Sequence, residues 1–166
     1  MSIDDQRGDF AELLQQHRGL VFKVANSYAS HPEDRADLAQ DIAAQLWRAW
    51  PGYDSRRSVT TWMYRIALNV AISQLRGRSL RDRHHVPFDE TLHDTLVHCV
   101  ADQDSEQQLQ LLQQVIARLE PMDRALMLLY LDERSQREIA EILGISESNV
   151  STKILRLKQR IRSELT

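Results

Sequence analysis

The sequence predicts an all-α protein with two small helical domains, a flexible linker between them and a helix-turn-helix in the C-terminal domain. Apolar residues recur at steps of three and four along most of the 166 residues, which is the spacing of one helix face. No run of alternating β-branched residues predicts a strand. Hydrophobic residues make up 42% and charged residues 27% of the chain, which is a globular composition with no membrane insertion expected.

The N-terminal domain, residues 1–80, is predicted to contain three helices. One long first helix is indicated by the apolar positions Phe10, Leu14, His17, Val21, Val24 and Tyr28. A second helix follows Pro32, with Leu38, Ile42 and Leu46 facing the core. After a loop that begins at Pro51, a third helix is predicted to bury Trp62, Ile66 and Val70, while Trp47 and Trp50 are assigned mainly to packing. The helical spacing stops near Gly77, and this predicts an acidic linker over residues 81–107.

The C-terminal domain, residues 108–166, has the clearest local signals. Pro121 is placed where the first turn of a helix accepts proline. Ser135 and Glu138 have the spacing of a capping box, and Gly144 is suited to end the short helix that follows. Ser146 can cap a second helix, whose buried stripe is predicted to be Val150, Ile154, Leu157 and Ile161. A short helix, a glycine turn and a second helix together predict a helix-turn-helix.

Charge is unevenly distributed along the chain, whose net charge is −3. Residues 81–110 contain two basic and seven acidic side chains, so the negative charge is concentrated in the middle of the sequence. Residues 149–162 contain five basic side chains and no acid, as expected of a helix that binds a phosphate backbone. The early residues of this helix would contact base edges, and Lys158, Arg160 and Arg162 would contact phosphates or remain solvated. The alternative is a helical hairpin with an ordinary charged face.

Catalytic, cofactor and metal sites are not predicted. Five isolated glycines cannot form a phosphate-binding or dinucleotide-binding loop, and neither a nucleophile elbow nor a His-Glu-x-x-His helix is present. His93, His98 and Cys99 lie close together, but their spacing matches no structural zinc pattern. The single cysteine and an N-terminus without an apolar core predict a cytoplasmic protein. Because no catalytic constellation is found in the sequence, the protein is predicted not to be an enzyme.

Four segments carry a resemblance to a known family. Residues 34–41 (DRADLAQD), 61–69 (TWMYRIALN) and 119–124 (LEPMDR) are followed by the helix-turn-helix residues 138–150. With these motifs in this order, the chain resembles the extracytoplasmic-function (ECF) group of RNA polymerase sigma factors, group 4 of the sigma-70 family. The resemblance covers almost the whole sequence and implies a factor that directs core polymerase to promoters.

The resemblance implies a role for each domain. Residues 1–80 would be sigma region 2, which binds core polymerase and recognises and melts the −10 element, and residues 108–166 would be region 4, which binds the −35 element. The implied core polymerase contacts are Asp37, Gln40, Asp41, Gln45 and Arg48. The implied −10 DNA contacts are Arg56, Arg57, Ser58, Thr60, Thr61, Arg65 and Asn69. The implied −35 DNA contacts are Asn149, Ser151, Thr152, Lys153, Leu155, Arg156 and Arg160.

The implied partners are promoter DNA, an anti-sigma factor and core RNA polymerase, through the coiled coil of its largest subunit and its flap. The chain departs from the family at Ser151, where many members have lysine or arginine, and at Leu155, where an aromatic residue is common. Since serine cannot reproduce the bidentate contact of arginine with guanine, the family's −35 sequence is not transferred to this chain. The alternative function is a stand-alone, dimeric helix-turn-helix regulator, which would need a ligand pocket or a dimerisation helix in the N-terminal domain.

Overall fold

The computed structural model describes the backbone of residues 2–81 and 103–166, and the side chains of residues 2–77 and 104–166. These residues form α-helices, one short 3-10 helix and no strand, which confirms the predicted all-α fold. The chain divides into two compact units: unit 1, Met1–Leu75, and unit 2, Arg76–Thr166. In the described ranges, no helix is both long and apolar enough to cross a bilayer.

Unit 1 is built from four helices that enclose one apolar core. They are α1 (Ile3–Gln16), α2 (Arg18–Tyr28), α3 (Pro32–Ala49) and α4 (Val59–Arg81), the last of which continues beyond the unit. A 3-10 turn, Trp50–Gly52, leads from α3 into the loop before α4. Leu38, Ile42 and Leu46 are buried as predicted, together with Val24 of α2 and Tyr64 of α4.

The predicted long first helix is wrong, because it is divided into α1 and α2 at His17. The backbone of His17 leaves helical geometry (φ −112°, ψ 19°), although its N–H still donates to the carbonyl of Leu13. Gly19 lies two residues further on and adds a weak helix former at the break. The chain can therefore turn between the two helices, and both Phe10 and Val21 are buried.

The buried face of α4 also differs from the prediction. The residues inside are Met63, Tyr64, Ala67, Leu68 and Ala71, whereas Trp62, Ile66 and Val70 are only half-buried. The two stripes adjoin each other, and the spacing of the apolar residues fits both. The helix does not end at Gly77 but runs to Arg81. Most of the predicted linker 81–107 lies outside the described residues, and α5 begins within it.

Unit 2 consists of α5 (Gln103–Ala117), α6 (Pro121–Leu131), α7 (Gln136–Leu143) and α8 (Glu147–Leu165). The first three of these helices all pack against α8. Residues 125–129 of α6 are buried without interruption, as expected of a helix enclosed on most sides. The stripe predicted for α8 is buried as expected.

The turn between α7 and α8 has the predicted geometry, with one difference. Gly144 is left-handed (φ +70°), and Ser146 Oγ accepts a hydrogen bond from the N–H of Asn149 at 3.1 Å. Ser135 Oγ accepts from the N–H of Glu138 at 3.1 Å. The Glu138 carboxylate lies 3.6 Å from Arg134 Nη1, and no return bond to Ser135 is formed. The predicted capping box is therefore only half present.

Candidate nucleic-acid interface

The outer face of α8 presents the side chains that the sequence assigned to −35 DNA. The exposed ones are Asn149, Ser151, Thr152, Leu155, Arg156 and Arg160, while Lys153 is half-buried. They lie on the side opposite the buried stripe, since helix residues three and four apart share a face. A helix of this kind fits the width of a B-DNA major groove. Unit 2 therefore offers one continuous polar and basic helix face.

The basic side chains of α8 are not equivalent. Lys158 Nζ lies 4.5 Å from the centre of the Tyr130 ring, and Arg160 Nε donates to Glu164 at 3.1 Å. Arg156 and Arg162 are exposed, and their guanidinium groups have no hydrogen-bond or ion-pair partner among the residues that the structure describes. These two guanidinium groups need break no existing contact in order to bind DNA.

The loop between the 3-10 turn and α4 is held by its own polar groups. Tyr53 Oη donates to the carbonyl of Arg57 at 2.7 Å. Asp54 accepts from the side chain of Arg56, with Nε at 3.1 Å and Nη2 at 3.1 Å, and from its backbone N–H at 3.0 Å. The side-chain and then the backbone hydrogen bonds of Arg56, with the nearby charge of Arg57, lower the pKa of Asp54 from its ordinary 3.8. The loop therefore exposes Arg57 beside a paired Arg56.

The start of α4 places the remaining −10 candidates in different environments. Ser58 Oγ lies 3.0 Å from Thr60 Oγ1 and accepts from the N–H of Thr61 at 3.4 Å, which caps the helix. Thr61 is only 9% exposed, and its hydroxyl has no partner among the described residues. Arg65 and Asn69 are exposed further along α4. The −10 candidates are thus exposed except for Thr60, which is half-buried, and Thr61, which is buried.

A chain of five aromatic rings lies beside this loop. The ring centres of Phe10 and Trp47 are 5.1 Å apart, those of Trp50 and Tyr53 5.5 Å, and those of Tyr53 and Trp62 4.8 Å. Trp50 also approaches Phe10 (5.8 Å) and Trp62 (6.1 Å). Ring contacts of this kind rigidify the base of the loop. The assignment of the tryptophans mainly to packing agrees with these contacts, although Trp47 is 38% exposed.

A cleft of about 600 Å³ separates α3 from α4 in unit 1. The side chains that line it are Asp41, Ala44, Gln45, Arg48, Ile66, Asn69, Val70, Ser73 and Gln74. Three of the five predicted polymerase contacts therefore share this cleft with Asn69, while Asp37 and Gln40 are exposed elsewhere on α3. Gln74 Nε2 donates to Asp41 Oδ2 at 2.5 Å across the cleft. Sequence reasoning missed Gln74, because a partner 33 residues away leaves no local signal.

Metal binding finds no support in the described part of the chain, where no cluster of three or more potential ligand residues occurs. The residues His93, His98 and Cys99 lie outside the described residues.

Comparison with known protein families matches both units. The model of sigma-70 region 2 matches residues 13–81, and the model of sigma-70 region 4 matches residues 109–161. Together they cover most of the chain, and their order is that of the predicted motifs. A dimeric stand-alone regulator is not favoured, because the N-terminal match is to a sigma region.

Individual relatives agree with this assignment. The chain is 31% identical to the ECF RNA polymerase sigma factor RpoE of Cereibacter sphaeroides (99% of this chain, 92% of the relative). It is 26% identical to the ECF sigma factor SigW of Bacillus subtilis (96% and 92%). Among solved structures, the sigma factor RpoE in complex with the anti-sigma factor NepR from Bartonella quintana has a similar fold, with a TM-score of 0.73, 22% identity and 95% and 96% coverage. The chain therefore belongs to the ECF RNA polymerase sigma factors, transcription initiation factors that direct RNA polymerase to promoters.

Proposed function

We propose that the two units divide promoter recognition between them. Residues 1–80 bind core polymerase and hold melted −10 DNA, residues 108–166 bind the −35 duplex, and residues 81–107 connect them. The observation that carries this proposal is the exposed face of α8, the second helix of the helix-turn-helix, which presents polar and basic side chains and has no acid over residues 149–162. Base-contacting groups near the start of such a helix and cations further along are the arrangement that major-groove binding requires.

Core polymerase is bound through the exposed side of α3. Asp37, Gln40 and Asp41 extend into solvent along it, followed by Gln45 and Arg48. Both signs of charge occur on this side, so a helical partner with complementary charges is fixed in register as well as attracted. The coiled coil of the polymerase's largest subunit is such a partner, and the flap provides a second attachment for unit 2.

Melted −10 DNA is held by the loop before α4 and by the exposed side of α4. Arg57 and Arg65 supply positive charge for the strand, and the amide of Asn69 can hydrogen-bond to a base edge. Arg56 and the hydroxyls of Ser58 and Thr60 complete the surface. Thr61 supports it from below, because its side chain is buried.

Regulation by an anti-sigma factor is part of the proposal. The related Bartonella quintana factor was solved in complex with the anti-sigma factor NepR, and the related factor CnrH with the cytosolic domain of CnrY. We infer that a protein of this kind holds the present chain inactive by covering its polymerase-binding face. The site of action is the cytoplasm, where polymerase and promoters are located, and no catalytic activity is assigned to the chain itself.

Run-off transcription tests the proposal. Purified bacterial core polymerase transcribes a fragmented genomic library with and without this protein, and the 5′ ends of the transcripts are sequenced. New transcripts that start downstream of a shared two-part motif are expected. Specific duplex binding by the protein alone, with no new transcripts and no binding to core polymerase, would overturn the proposal in favour of a stand-alone regulator.

A further inference from the structure

Leu155 is an apolar side chain on the otherwise polar outer face of α8. It is 58% exposed, whereas the four apolar residues of the buried stripe are enclosed. A single exposed leucine is common on protein surfaces and is not by itself informative. Its position is informative, because Leu155 lies one turn from Ser151 and directly precedes Arg156, within the segment proposed to enter the major groove.

Thr152 adds a second apolar group on the same face. Its side chain is exposed, but Oγ1 donates to the carbonyl of Ser148, one turn earlier, at 3.0 Å. This bond is typical of threonine inside a helix, where it ties the hydroxyl to the backbone. The exposed portion of Thr152 available for a new contact is therefore mainly its methyl group.

These two apolar groups are neighbours. Residues three apart on a helix lie side by side, so the methyl group of Thr152 and the side chain of Leu155 form one small apolar patch. The exposed Asn149 and Arg156 lie one turn away from Thr152, before and after it. The face therefore places the two apolar groups between polar side chains.

The major groove contains an apolar group that this patch of Thr152 and Leu155 can pack against. Among the base edges there, thymine alone presents a methyl group, at C5, beside the hydrogen-bond donors and acceptors of the four bases. We propose that Thr152 and Leu155 select thymine at one or two positions of the −35 duplex by packing against its C5 methyl. This inference rests on the proposed function, since it requires α8 to lie in the major groove.

Replacement of thymine by uracil tests the inference, because it removes only the methyl group. The probe is the −35 duplex of a promoter found by run-off transcription, with each thymine replaced by uracil in turn and with holoenzyme as the binding protein. Because one buried methyl group is lost, uracil at a contacted position should lower the affinity about fourfold. Uracil at any other position should leave the affinity unchanged. The Leu155→Ala variant is expected to weaken binding to the thymine duplex and to lose this sensitivity to uracil.

Two threonine variants identify the group responsible at position 152. Thr152→Val keeps a methyl group and loses the hydroxyl, so its uracil sensitivity is expected to remain. Thr152→Ser keeps the hydroxyl and loses the methyl, so its sensitivity is expected to fall. The reverse pattern would overturn the proposal, because it would assign the contact to the hydroxyl.

Leu131→Ala is the matched control, since Leu131 is 52% exposed at the end of α6 and is not part of the proposed face. This variant should retain the uracil sensitivity of the unmodified protein. Holoenzyme that starts at specific promoters but binds every uracil-substituted duplex as tightly as the original would overturn this inference alone. Absence of promoter-specific transcription would overturn the proposed function and the inference with it.

Discussion

The two units join successive helices in the same way. A Pro-x-Asp-Arg sequence opens both α3 and α6, with proline in the first turn and arginine one turn later. In unit 1, Arg35 Nε donates to the carbonyl of Ala29 at 3.0 Å, just after the end of α2. In unit 2, Arg124 Nη2 donates to the carbonyls of Ala117 (2.5 Å) and Leu119 (3.3 Å) at the end of α5. Each arginine satisfies carbonyls that a helix end leaves without intrahelical partners.

The units differ in how their candidate sites are assembled. Unit 2 presents its DNA face on the single helix α8, so each contact depends mainly on the identity of one side chain. Unit 1 assembles its surface from α3, a loop and α4. The Asp41–Gln74 hydrogen bond links α3 to α4, and the Tyr53–Arg57 hydrogen bond holds the loop internally. Substitutions on the DNA face of α8 should therefore change promoter preference, and substitutions on the polymerase-binding face of α3 should change activity at every promoter.

The largest effect is expected from Asp41→Arg. This change reverses a charge on the proposed polymerase face, and like-charge contacts across an interface cost several kcal/mol. We expect the affinity for core polymerase to fall at least about a hundredfold, and transcription therefore to fall at all promoters. The circular dichroism spectrum should keep its helical form. Affinity is measured by fluorescence anisotropy with labelled protein and core enzyme.

Gln74→Ala is the control for Asp41. It removes the hydrogen bond across the cleft but leaves the carboxylate in place. A small loss, below about threefold, is expected, because one exposed hydrogen bond contributes about 1 kcal/mol or less. If Gln74→Ala were as damaging as Asp41→Arg, the carboxylate would act by positioning α4 rather than by contact with polymerase.

Replacement of Arg35 and Arg124 by methionine compares the two helix connections that these arginines stabilise. Arg35 is 8% exposed, so Arg35→Met leaves a buried carbonyl without this donor and should lower the free energy of unfolding by about 3 kcal/mol. Arg124 is less buried, and water can replace part of its contact, so Arg124→Met should cost about 1–2 kcal/mol.

Tryptophan fluorescence separates the two results during urea unfolding. All three tryptophans (Trp47, Trp50 and Trp62) lie in unit 1, so fluorescence follows that unit alone, while far-ultraviolet circular dichroism follows both. Arg35→Met should shift the fluorescence transition, and Arg124→Met should leave it unchanged. A fluorescence shift in Arg124→Met would show that the units do not unfold independently.

Prediction from sequence was most successful where the signal is local. The turn at Gly144, the cap at Ser146 and the buried stripe of α8 depend on residues within a few positions of each other, and all three were confirmed. Unit 1 was harder to predict, because its surface depends on distant partners. The break at His17 and the buried face of α4 depend on packing, which apolar spacing alone does not determine.

Arg156→Ala tests whether a side chain of unit 2 determines promoter preference. The guanidinium is exposed and has no partner among the described residues, so its loss should act through DNA contact alone. If it binds a base, promoter affinity should fall by about 1–3 kcal/mol and selectivity should relax at one −35 position. The measurement is holoenzyme binding to duplexes varied at each −35 position. Equal weakening on every sequence would instead assign Arg156 to a phosphate.

A pair of glycine substitutions compares helix ends with helix interiors. Gly144→Ala forces a side chain into left-handed backbone (φ +70°) with open space around it, so the strain alone should cost about 1 kcal/mol. Gly8→Ala, inside α1 and also in open space, should stabilise the protein by up to about 1 kcal/mol. Thermal unfolding should show a lower midpoint temperature for Gly144→Ala and a higher one for Gly8→Ala. A lower midpoint for Gly8→Ala would contradict the prediction for the helix interior.

The smallest effect concerns the Asp54–Arg56 pair in the loop of unit 1. Its hydrogen bonds to Arg56 lower the pKa of Asp54, so the loop stabilisation from this carboxylate is present at neutral pH and is lost as the pH falls through the lowered pKa. Carboxyl NMR of the unmodified protein should show titration below 3.8, and Arg56→Ala should move it back towards that value.

Asp54→Asn removes a negative charge beside the proposed DNA strand and releases Arg56, so holoenzyme should bind single-stranded −10 DNA about two- to threefold more tightly at low salt. Weaker binding would show that the Asp54–Arg56 pair holds the loop in the conformation that binds DNA. The loss of this loop order would then lower the affinity by more than removal of the negative charge raises it.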